Sequence, residues 1–373
     1  MSRPVSVPRI LVLLGVLVAA GCRSEGGSGG PGAGASAPPP VDESRWMWVA
    51  PEPSWTGMPA ADDREVALTY GHHALVLLDA AGRERWRAPR VGLRDVAPRL
   101  TADLVLAATE EGLAAFRRAD GSPVWDTAVG GRIRTNTPVV AGGVAVTSSW
   151  EGQLVALDMV TGSVVWRVDL PGPAFGPPTT DGTAVVASWD KSGERSGGVV
   201  AVEASTGRQR WAVAVPGGGV SAPAVTASGN AVLVAGDLTA RALALASGKE
   251  QWRTGLDGAG SPEVPPAPVG EGKVLVAHRS GGLDLLDAAT GTVEWQLATD
   301  GAVVRGGPVV GRDGASFALA LDDGRLVKCG PGKPTEIRRA PNRLSGLAAG
   351  PAGVLVVAER GAPVNTVQAT PDW

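Results

Sequence analysis

The sequence has 373 residues and carries 34 Lys or Arg against 37 Asp or Glu, which gives a formal net charge of −3 at pH 7. A weakly acidic chain lacks the basic surface that neutralises phosphate backbones, and this disfavours a nucleic-acid partner. The chain is rich in Gly, Val and Ala and has few stretches with helical periodicity, which excludes a mainly helical fold.

The first 21 residues have the pattern of a lipoprotein signal peptide. Arg3 and Arg9 form a basic segment, and the apolar run from Ile10 to Ala20 is too short to span a bilayer. The run ends in small residues before Cys22, whose thiol would accept diacylglycerol. We therefore predict a signal peptide at 1–21 and lipidation of Cys22. An ordinary secretory signal with an incidental cysteine is the alternative.

Residues 22–44 are predicted to form a tether. After Cys22 the sequence reads RSEGGSGGPGAGASAPPPVDES, which has no periodicity and almost no large apolar side chain. Such a segment cannot bury enough surface to offset the entropy of ordering, so we expect it to be disordered. Two acyl chains anchor a protein stably to a lipid bilayer. We thus expect an exported protein at the outer face of a cell membrane, or at the periplasmic face of an outer membrane if one exists.

Six segments share one pattern, in which a glycine lies four residues before a tryptophan. The tryptophans are Trp86, Trp125, Trp166, Trp211, Trp252 and Trp295, and the glycines are Gly82, Gly121, Gly162, Gly207, Gly248 and Gly291. Successive tryptophans are 39 to 45 residues apart, which is the period of a β-propeller blade. A tight hairpin needs a positive φ at the glycine position, which glycine adopts without steric penalty.

Four strands can be placed within one period of this repeat. Asp79, Asp158 and Asp287 fall at the end of a third strand, where a short carboxylate accepts hydrogen bonds from turn N–H groups. The motif is therefore predicted to be structural rather than catalytic. In the third period, the predicted strands are 137–140, 144–149, 153–158 and 163–169.

The number of blades follows from counting in both directions. Counting forward from Trp295 reaches the segment PTEIRRAP, and counting backward from Trp86 reaches Trp46 in RWMWVAP. We predict an all-β, eight-bladed propeller of four-stranded antiparallel blades over residues 45–373. RWMWVAP would be the outer strand of the last blade, whose inner strands come from residues 344–370. This closure removes open sheet edges.

The pattern ALDxxTGxxxW resembles the pyrroloquinoline-quinone (PQQ) type repeat of eight-bladed quinoprotein dehydrogenases. It is equally similar to the repeat of BamB-like lipoproteins, which bind no quinone. The resemblance extends from about residue 45 to the end of the chain. It is specific for the fold, whereas one fold hosts many activities. It implies that each repeat tryptophan wedges against the neighbouring blade.

Enzymatic activity, a cofactor and a metal are all predicted to be absent. The alcohol-oxidising members of the quinoprotein family carry adjacent cysteines and long inserted loops, and this sequence has neither. His72, His73 and His278 fall in turns between second and third strands, too far apart in the ring to converge on a metal, and are predicted to be solvated. Cys329 is predicted to be a half-buried strand thiol, which could form no disulfide once Cys22 is lipidated.

Two further tryptophans lie in predicted turns at the face where family members bind partners. Trp150 stands in SSWEGQ, and Trp189 in the longer insertion SWDKSGERSGG. Aromatic side chains beside charged ones are typical anchors of an interface. Packing of each tryptophan against the adjacent blade is the alternative, and the sequence leaves both open.

Three arginines precede predicted inner strands at a similar distance, namely Arg94, Arg134 and Arg305. At that position they would ring the mouth of the central channel and form a cationic funnel for an anionic ligand or an acidic peptide. Solvated arginines without such a role are the alternative.

We expect a monomeric, membrane-anchored and non-enzymatic propeller that binds a protein partner or an envelope component through one face. If an outer membrane exists, the resemblance implies a BamB-like role in envelope assembly. The alternative function is a small-ligand sensor or a PQQ-dependent dehydrogenase-like enzyme.

Overall fold

The computed structural model describes most of the chain from residue 46 onward. The described residues are 46–51, 56–133, 137–191, 194–256, 264–270, 272–278, 282–298, 302, 304, 308–311, 316–330, 335–339, 343–351, 355–360 and 366–370. The predicted signal peptide, Cys22 and the predicted tether lie outside them. Among the described residues, no helix has the length and apolar character needed to cross a membrane.

The strands assemble into eight four-stranded antiparallel sheets. In chain order they are β1 (Met47–Val49), β2 (Ala60–Ala61), β3 (Val66–Tyr70), β4 (Ala74–Leu78), β5 (Glu84–Pro89), β6 (Arg99–Leu100), β7 (Leu104–Ala108), β8 (Gly112–Arg117), β9 (Pro123–Ala128), β10 (Val139–Ala141), β11 (Val144–Ser148), β12 (Gln153–Asp158), β13 (Val164–Asp169), β14 (Thr179–Thr180), β15 (Ala184–Lys191), β16 (Ser196–Glu203), β17 (Gln209–Pro216), β18 (Ala224–Val225), β19 (Asn230–Ala235), β20 (Thr239–Ala244), β21 (Glu250–Gly255), β22 (Ala267–Val269), β23 (Lys273–His278), β24 (Gly282–Asp287), β25 (Val293–Ala298), β26 (Val309–Val310), β27 (Phe317–Ala320), β28 (Arg325–Cys329), β29 (Thr335–Arg339), β30 (Arg343–Ala349), β31 (Leu355–Arg360) and β32 (Thr366–Thr370). Seven sheets follow the chain, from blade one (β2 to β5) to blade seven (β26 to β29), and β30, β31, β32 and β1 form blade eight. The predicted all-β, eight-bladed propeller is confirmed.

The first strand of each blade lies towards the middle of the ring. Neighbouring first strands contact one another, as β10 and β14, β14 and β18, and β18 and β22 do. The first strand of blade eight, β30, contacts both β26 and β2, so that the ring continues across the chain ends. A proline directly precedes the first strand in blades one to seven: Pro59, Pro98, Pro138, Pro178, Pro223, Pro266 and Pro308. Proline has no N–H to donate to a ladder and is therefore confined to strand starts and edges.

The predicted strand boundaries of blade three are close to the observed ones. The third strand, β12, spans Gln153–Asp158 as predicted, and the fourth, β13, begins one residue later than predicted, at Val164. The first strand begins at Val139 rather than at residue 137. Pro138 is consistent with this shift, because it has no N–H group to donate to the ladder.

The N-terminal segment closes the ring as predicted. Strand β1 pairs antiparallel with β32, and Trp48 lies opposite Val367. Trp48 is buried, and its ring meets that of Tyr70 edge to face with centroids 6.0 Å apart. The predicted outer strand of blade seven is β29, Thr335–Arg339.

The hydrophobic core is divided among the interfaces between blades. The described residues form eight apolar clusters, and each draws its side chains from two consecutive blades. The middle strands are covered on both faces, so strands such as β4 and β11 are buried along their whole length. The outer strands alternate between buried and exposed residues, as in β5 and β13, because only one of their faces meets a neighbour.

Each repeat tryptophan of blades one to five packs on the repeat glycine of the next blade. Trp125 lies on Gly162, where a Cβ atom added to the glycine would stand 2.5 Å from Trp125 Cγ. Gly162 has a φ of +70°, so this position excludes a side chain both by contact and by backbone conformation. The same pairing joins Trp86 to Gly121, Trp166 to Gly207, Trp211 to Gly248 and Trp252 to Gly291.

The indole N–H group of each of these tryptophans donates a hydrogen bond across the interface. Trp166 Nε1 donates to the Ala204 carbonyl over 2.8 Å. The other donor and acceptor pairs are Trp86 and Arg118, Trp125 and Met159, Trp211 and Leu245, and Trp252 and Ala288. Trp295 stacks on the Phe317 ring with centroids 6.0 Å apart. The repeat residues therefore join the blades.

The seam between blades eight and one departs from this pattern. Trp46 packs on Gly82, as the other tryptophans pack on their glycines. The turn that carries Gly82 is one residue shorter, since Gly82 N bonds to Asp79 O, three residues back, whereas Gly162 N bonds to Asp158 O, four residues back. Trp46 Nε1 is buried and has no hydrogen-bond partner among the described residues.

Candidate functional site

One end of the propeller bears two kinds of loop. These are the turns between the second and third strands of a blade and the connections from a fourth strand to the next blade, which alternation of antiparallel strands brings to the same end. We call this end the connection face. It comprises residues 71–73, 90–98, 109–111, 129–133, 149–152, 170–178, 217–223 and 236–238.

Trp150 is exposed on the connection face, with 45% of its surface accessible. Its backbone N–H donates to the Arg132 carbonyl over 2.8 Å. The carboxylate of the next residue, Glu151, accepts the Arg132 backbone N–H over 3.0 Å. Desolvation raises the pKa of Glu151, but the hydrogen bonds from the Arg132 amide and its neighbours outweigh it and the pKa is lowered. The turn that presents Trp150 is thus held by two hydrogen bonds, one from its own backbone and one to the Glu151 side chain.

Trp189 is buried, with 8% of its surface accessible, and the expectation of an exposed anchor at this position is wrong. The predicted insertion is a longer hairpin, in which β15 and β16 have eight residues each. Trp189 therefore stays on the same face of β15 as Val185 and Ala187, within the core between blades three and four. Packing on the adjacent blade was the correct alternative.

Glycine makes room for this tryptophan. Trp189 pairs with Gly198 across the hairpin, and a Cβ atom added to Gly198 would lie 2.8 Å from the indole. Gly172, in the connection from blade three, contacts the other side of the ring. The neighbouring Asp190 accepts the Gly219 backbone N–H over 2.7 Å and so ties the hairpin to the connection towards blade five.

Arg94 links two blade connections. Its Nε and Nη2 atoms donate to the Ile133 carbonyl over 3.0 and 2.6 Å, and its own carbonyl accepts the Thr69 hydroxyl over 3.0 Å. The side chain is half-buried and holds the connection between blades one and two against the next one. Arg134 and Arg305 lie outside the described residues, so the cationic funnel stays a prediction.

The histidines of blade one lie in its second turn. His72 Nδ1 donates to the Leu93 carbonyl over 2.8 Å, and its Nε2 lies 3.6 Å from Asp95 Oδ2. Both His72 and His73 are exposed. The backbone of His278 is described as the last residue of β23, but its side chain lies outside the described set. Among the described residues, no three His, Cys, Asp or Glu side chains are grouped as metal ligands.

The remaining chemically reactive groups serve the fold. Cys329 is fully rather than half buried, and burial raises the pKa of its thiol to about 12. Such a thiol is protonated at neutral pH and is a poor nucleophile. The Asp158 carboxylate accepts the backbone N–H groups of Thr161 and Val160, which with the Thr161 hydroxyl lower its pKa. Asp287 accepts the equivalent turn bonds.

Two apolar side chains that were not singled out from the sequence share the connection face with Trp150. Leu238 is 43% exposed in the second turn of blade five and has a φ of 64°. Val91 is 76% exposed in the connection from blade one to blade two. The sequence contained a signal for Leu238, because side chains in a solvated turn are usually polar and the turn segment GDLT contains a large aliphatic residue.

The sequence matches the model of one protein family, described as outer membrane protein assembly factor BamB. The matches cover residues 109–193, 181–303 and 236–328, which together are more than half of the chain. No curated protein sequence matches significantly.

Three solved structures illustrate the structural similarity. BamB from Moraxella catarrhalis aligns with a TM-score of 0.69 and 14% identity, over 88% of this chain and 97% of that chain. The computationally designed Ika8 protein aligns with a TM-score of 0.69 and 12% identity, over 84% and 96% of the two chains. The C-terminal WD40 domain of Sif2 aligns with a TM-score of 0.68 and 14% identity, over 85% and 95%. Identities this low establish the fold alone.

Proposed function

Because the chain belongs to the family of the outer membrane protein assembly factor BamB, we propose that it is a non-enzymatic scaffold that binds a protein partner through its connection face. In this proposal the protein is a monomer, and its partner belongs to the cell envelope. Trp150 is the central contact, and Leu238 and Val91 extend the apolar contact around the ring.

The exposure of Trp150 on a fixed turn carries this proposal. An indole that is 45% exposed offers a large apolar surface, and only two side-chain dihedral angles have to be immobilised on binding. The hydrogen bonds from Trp150 N to Arg132 O and from Arg132 N to Glu151 hold the turn before a partner arrives. A fixed turn lowers the cost of ordering an interface.

In this proposal the repeat residues stabilise the propeller and take no part in catalysis. The repeat aspartates are acceptors for turn N–H groups, and their lowered pKa makes them poor bases at neutral pH. As a check on the non-enzymatic part, titration of the pure chain with PQQ and Ca²⁺ should leave the absorbance spectrum of the quinone unchanged. A saturable spectral change would favour the quinoprotein alternative.

Crosslinking from the connection face tests the partner proposal. A photoreactive residue in place of Trp150 should form one discrete adduct with an envelope protein in the native host. The matched control is Val160, which is 78% exposed at the other end of the same blade. The absence of an adduct at position 150, or the same adduct at position 160, would contradict the proposal. Leu238→Asp should weaken the adduct from position 150.

We further propose that lipidated Cys22 anchors the scaffold to a membrane. Native protein should fractionate with membranes and partition into detergent, whereas Cys22→Ser should remain as precursor or be released. If an outer membrane exists, the anchor places the scaffold where BamB-type assembly takes place; otherwise it lies at the outer face of the cell membrane. Soluble native protein with a free thiol at Cys22 would contradict the anchor.

A further inference from the structure

The opposite end of the propeller carries a charged depression between blades one and two. We call this end the repeat-turn face; it comprises the turns between first and second strands and between third and fourth strands, at residues 62–65, 79–83, 101–103, 118–122, 142–143, 159–163, 181–183, 204–208, 226–229 and 245–249. The depression has a volume of about 350 Å³. Its charged lining consists of four arginines, Arg64, Arg85, Arg117 and Arg118, and two acids, Glu65 and Asp103.

The floor of the depression is a buried ion network. Arg118 is buried and donates from Nε to Glu65 over 2.5 Å, from Nη2 to Asp62 over 2.6 Å and from Nη1 to the Thr101 carbonyl over 2.7 Å. Its backbone carbonyl also accepts the indole N–H of Trp86. All three guanidinium nitrogens of Arg118 thus already donate hydrogen bonds. Arg118 therefore holds the surrounding turns in place and is not available to bind a ligand.

The network also orients the arginines above it. Asp62 accepts the backbone N–H groups of Arg64 and Glu65 over 2.9 and 3.0 Å, which shapes the turn that carries Arg64. Glu65 is buried and pairs with both Arg85 and Arg118. The four arginines thus lie beside three carboxylates, those of Asp62, Glu65 and Asp103, so one positive charge is in excess at the depression.

Blade two departs from the repeat at this place. The position of Arg117 is occupied by an acid in blades three, four and six, namely Asp158, Glu203 and Asp287. The backbone turn is unchanged, because Gly121 N bonds to Arg117 O as Gly162 N bonds to Asp158 O. The position of Arg118 is occupied by an uncharged residue in blades three to six, namely Met159, Ala204, Leu245 and Ala288. The turn itself does not require the two arginines, which points to a different role for them.

We propose that this depression binds a small phosphate-bearing anion through Arg64, Arg85 and Arg117. The three guanidinium groups come from three different elements, a first turn, an outer strand and the end of a third strand, and all are exposed to solvent. A phosphate monoester has three acceptor oxygens for the three guanidinium groups, and its negative charge is complementary to the net positive charge of the depression. The site lies at the opposite end from the proposed partner contact and is independent of it.

Calorimetric titration with inorganic pyrophosphate tests the site on the full chain in detergent solution at low salt. The native protein should bind with an affinity that falls as salt is added. Arg64→Gln and Arg117→Gln should each weaken binding about tenfold, and the double variant about a hundredfold. Arg118 is left intact because its loss would uncover Glu65 and endanger folding.

Two controls separate this site from general charge and from the partner face. Arg208→Gln makes the same charge change on the same face, at a side chain that is 78% exposed, and should bind like the native protein. Trp150→Ala should also bind normally. No binding by the native protein, or equal weakening by Arg208→Gln, would overturn the proposal.

Vesicles distinguish the source of the phosphate. Binding to vesicles that contain phosphatidate, with loss in the Arg64→Gln and Arg117→Gln double variant, would assign the site to a lipid headgroup. Binding of pyrophosphate without binding to vesicles would assign it to a soluble phosphate compound. Both results support the site.

Discussion

The interface between blades three and four and the seam between blades eight and one use a tryptophan differently. Trp166 packs on Gly207 and also donates to the Ala204 carbonyl. Trp46 packs on Gly82, but within the described part of the chain its buried Nε1 atom has no hydrogen-bond partner. The first interface joins segments that follow each other in the chain, whereas blade eight depends on the three pairs between β1 and β32. The comparison predicts that the seam opens before the interface between blades three and four.

The largest effect is expected when the seam is broken. Deletion of residues 45–51 removes β1, uncovers the edge of β32 and exposes the apolar cluster around Tyr70. An unpaired edge beside an apolar surface promotes association, so the shortened chain should aggregate. Size-exclusion chromatography with light scattering measures this. A monomeric and stable product would mean that β1 is dispensable for ring closure.

A glycine substitution tests the packing at a regular interface. Alanine at Gly162 would strain a backbone with φ +70° and press on Trp125, so Gly162→Ala should cost about 2–4 kcal/mol in the free energy of unfolding. Gly143 is a matched control, because it has a φ of +81° with no atom within 4 Å of an added Cβ. Gly143→Ala should therefore cost only the conformational part, about 1–2 kcal/mol. Equal losses in urea unfolding would show that the tryptophan contact adds nothing.

A pair of conservative substitutions isolates the indole hydrogen bond. Trp166→Phe leaves the buried Ala204 carbonyl without its donor and should cost about 1 kcal/mol more than Trp46→Phe. At Trp46 the same change removes a donor that bonds to none of the described residues, so we expect it to lose packing alone. Thermal unfolding of both variants measures the difference. A greater loss at Trp46 would mean that the seam is held by a stronger contact than the regular interface.

The fold could be predicted from the sequence because of the repeat, whereas contacts between residues far apart in the chain could not. The six Trp and Gly pairs and the 39 to 45-residue spacing predicted the blades and the closing strand. Trp189 was ambiguous because an insertion can be a loop or a longer hairpin, and the apolar run AVVA before it does not show where the strand ends. The partners of Arg118 lie 53 and 56 residues away, and sequence periodicity carries no information on such pairs.

The smallest expected effect concerns the turn aspartate beside a regular interface. The Thr161 and Val160 N–H groups and the Thr161 hydroxyl lower the pKa of Asp158, so this carboxylate stabilises the fold above its unfolded pKa of about 3.9. That contribution is lost as the pH falls through the lower, folded pKa. Asp158→Asn should therefore be less stable than the native protein at pH 7, and the difference should shrink below pH 4. The seam turn offers a comparison, because Asp79 accepts similar bonds from Ala81 and Arg83 and its pKa is also lowered. Parallel melting curves of the native protein, Asp158→Asn and Asp79→Asn from pH 7 to pH 2 measure both turns. A difference for Asp158→Asn that stays constant with pH would mean that the Asp158 charge plays no part in its turn.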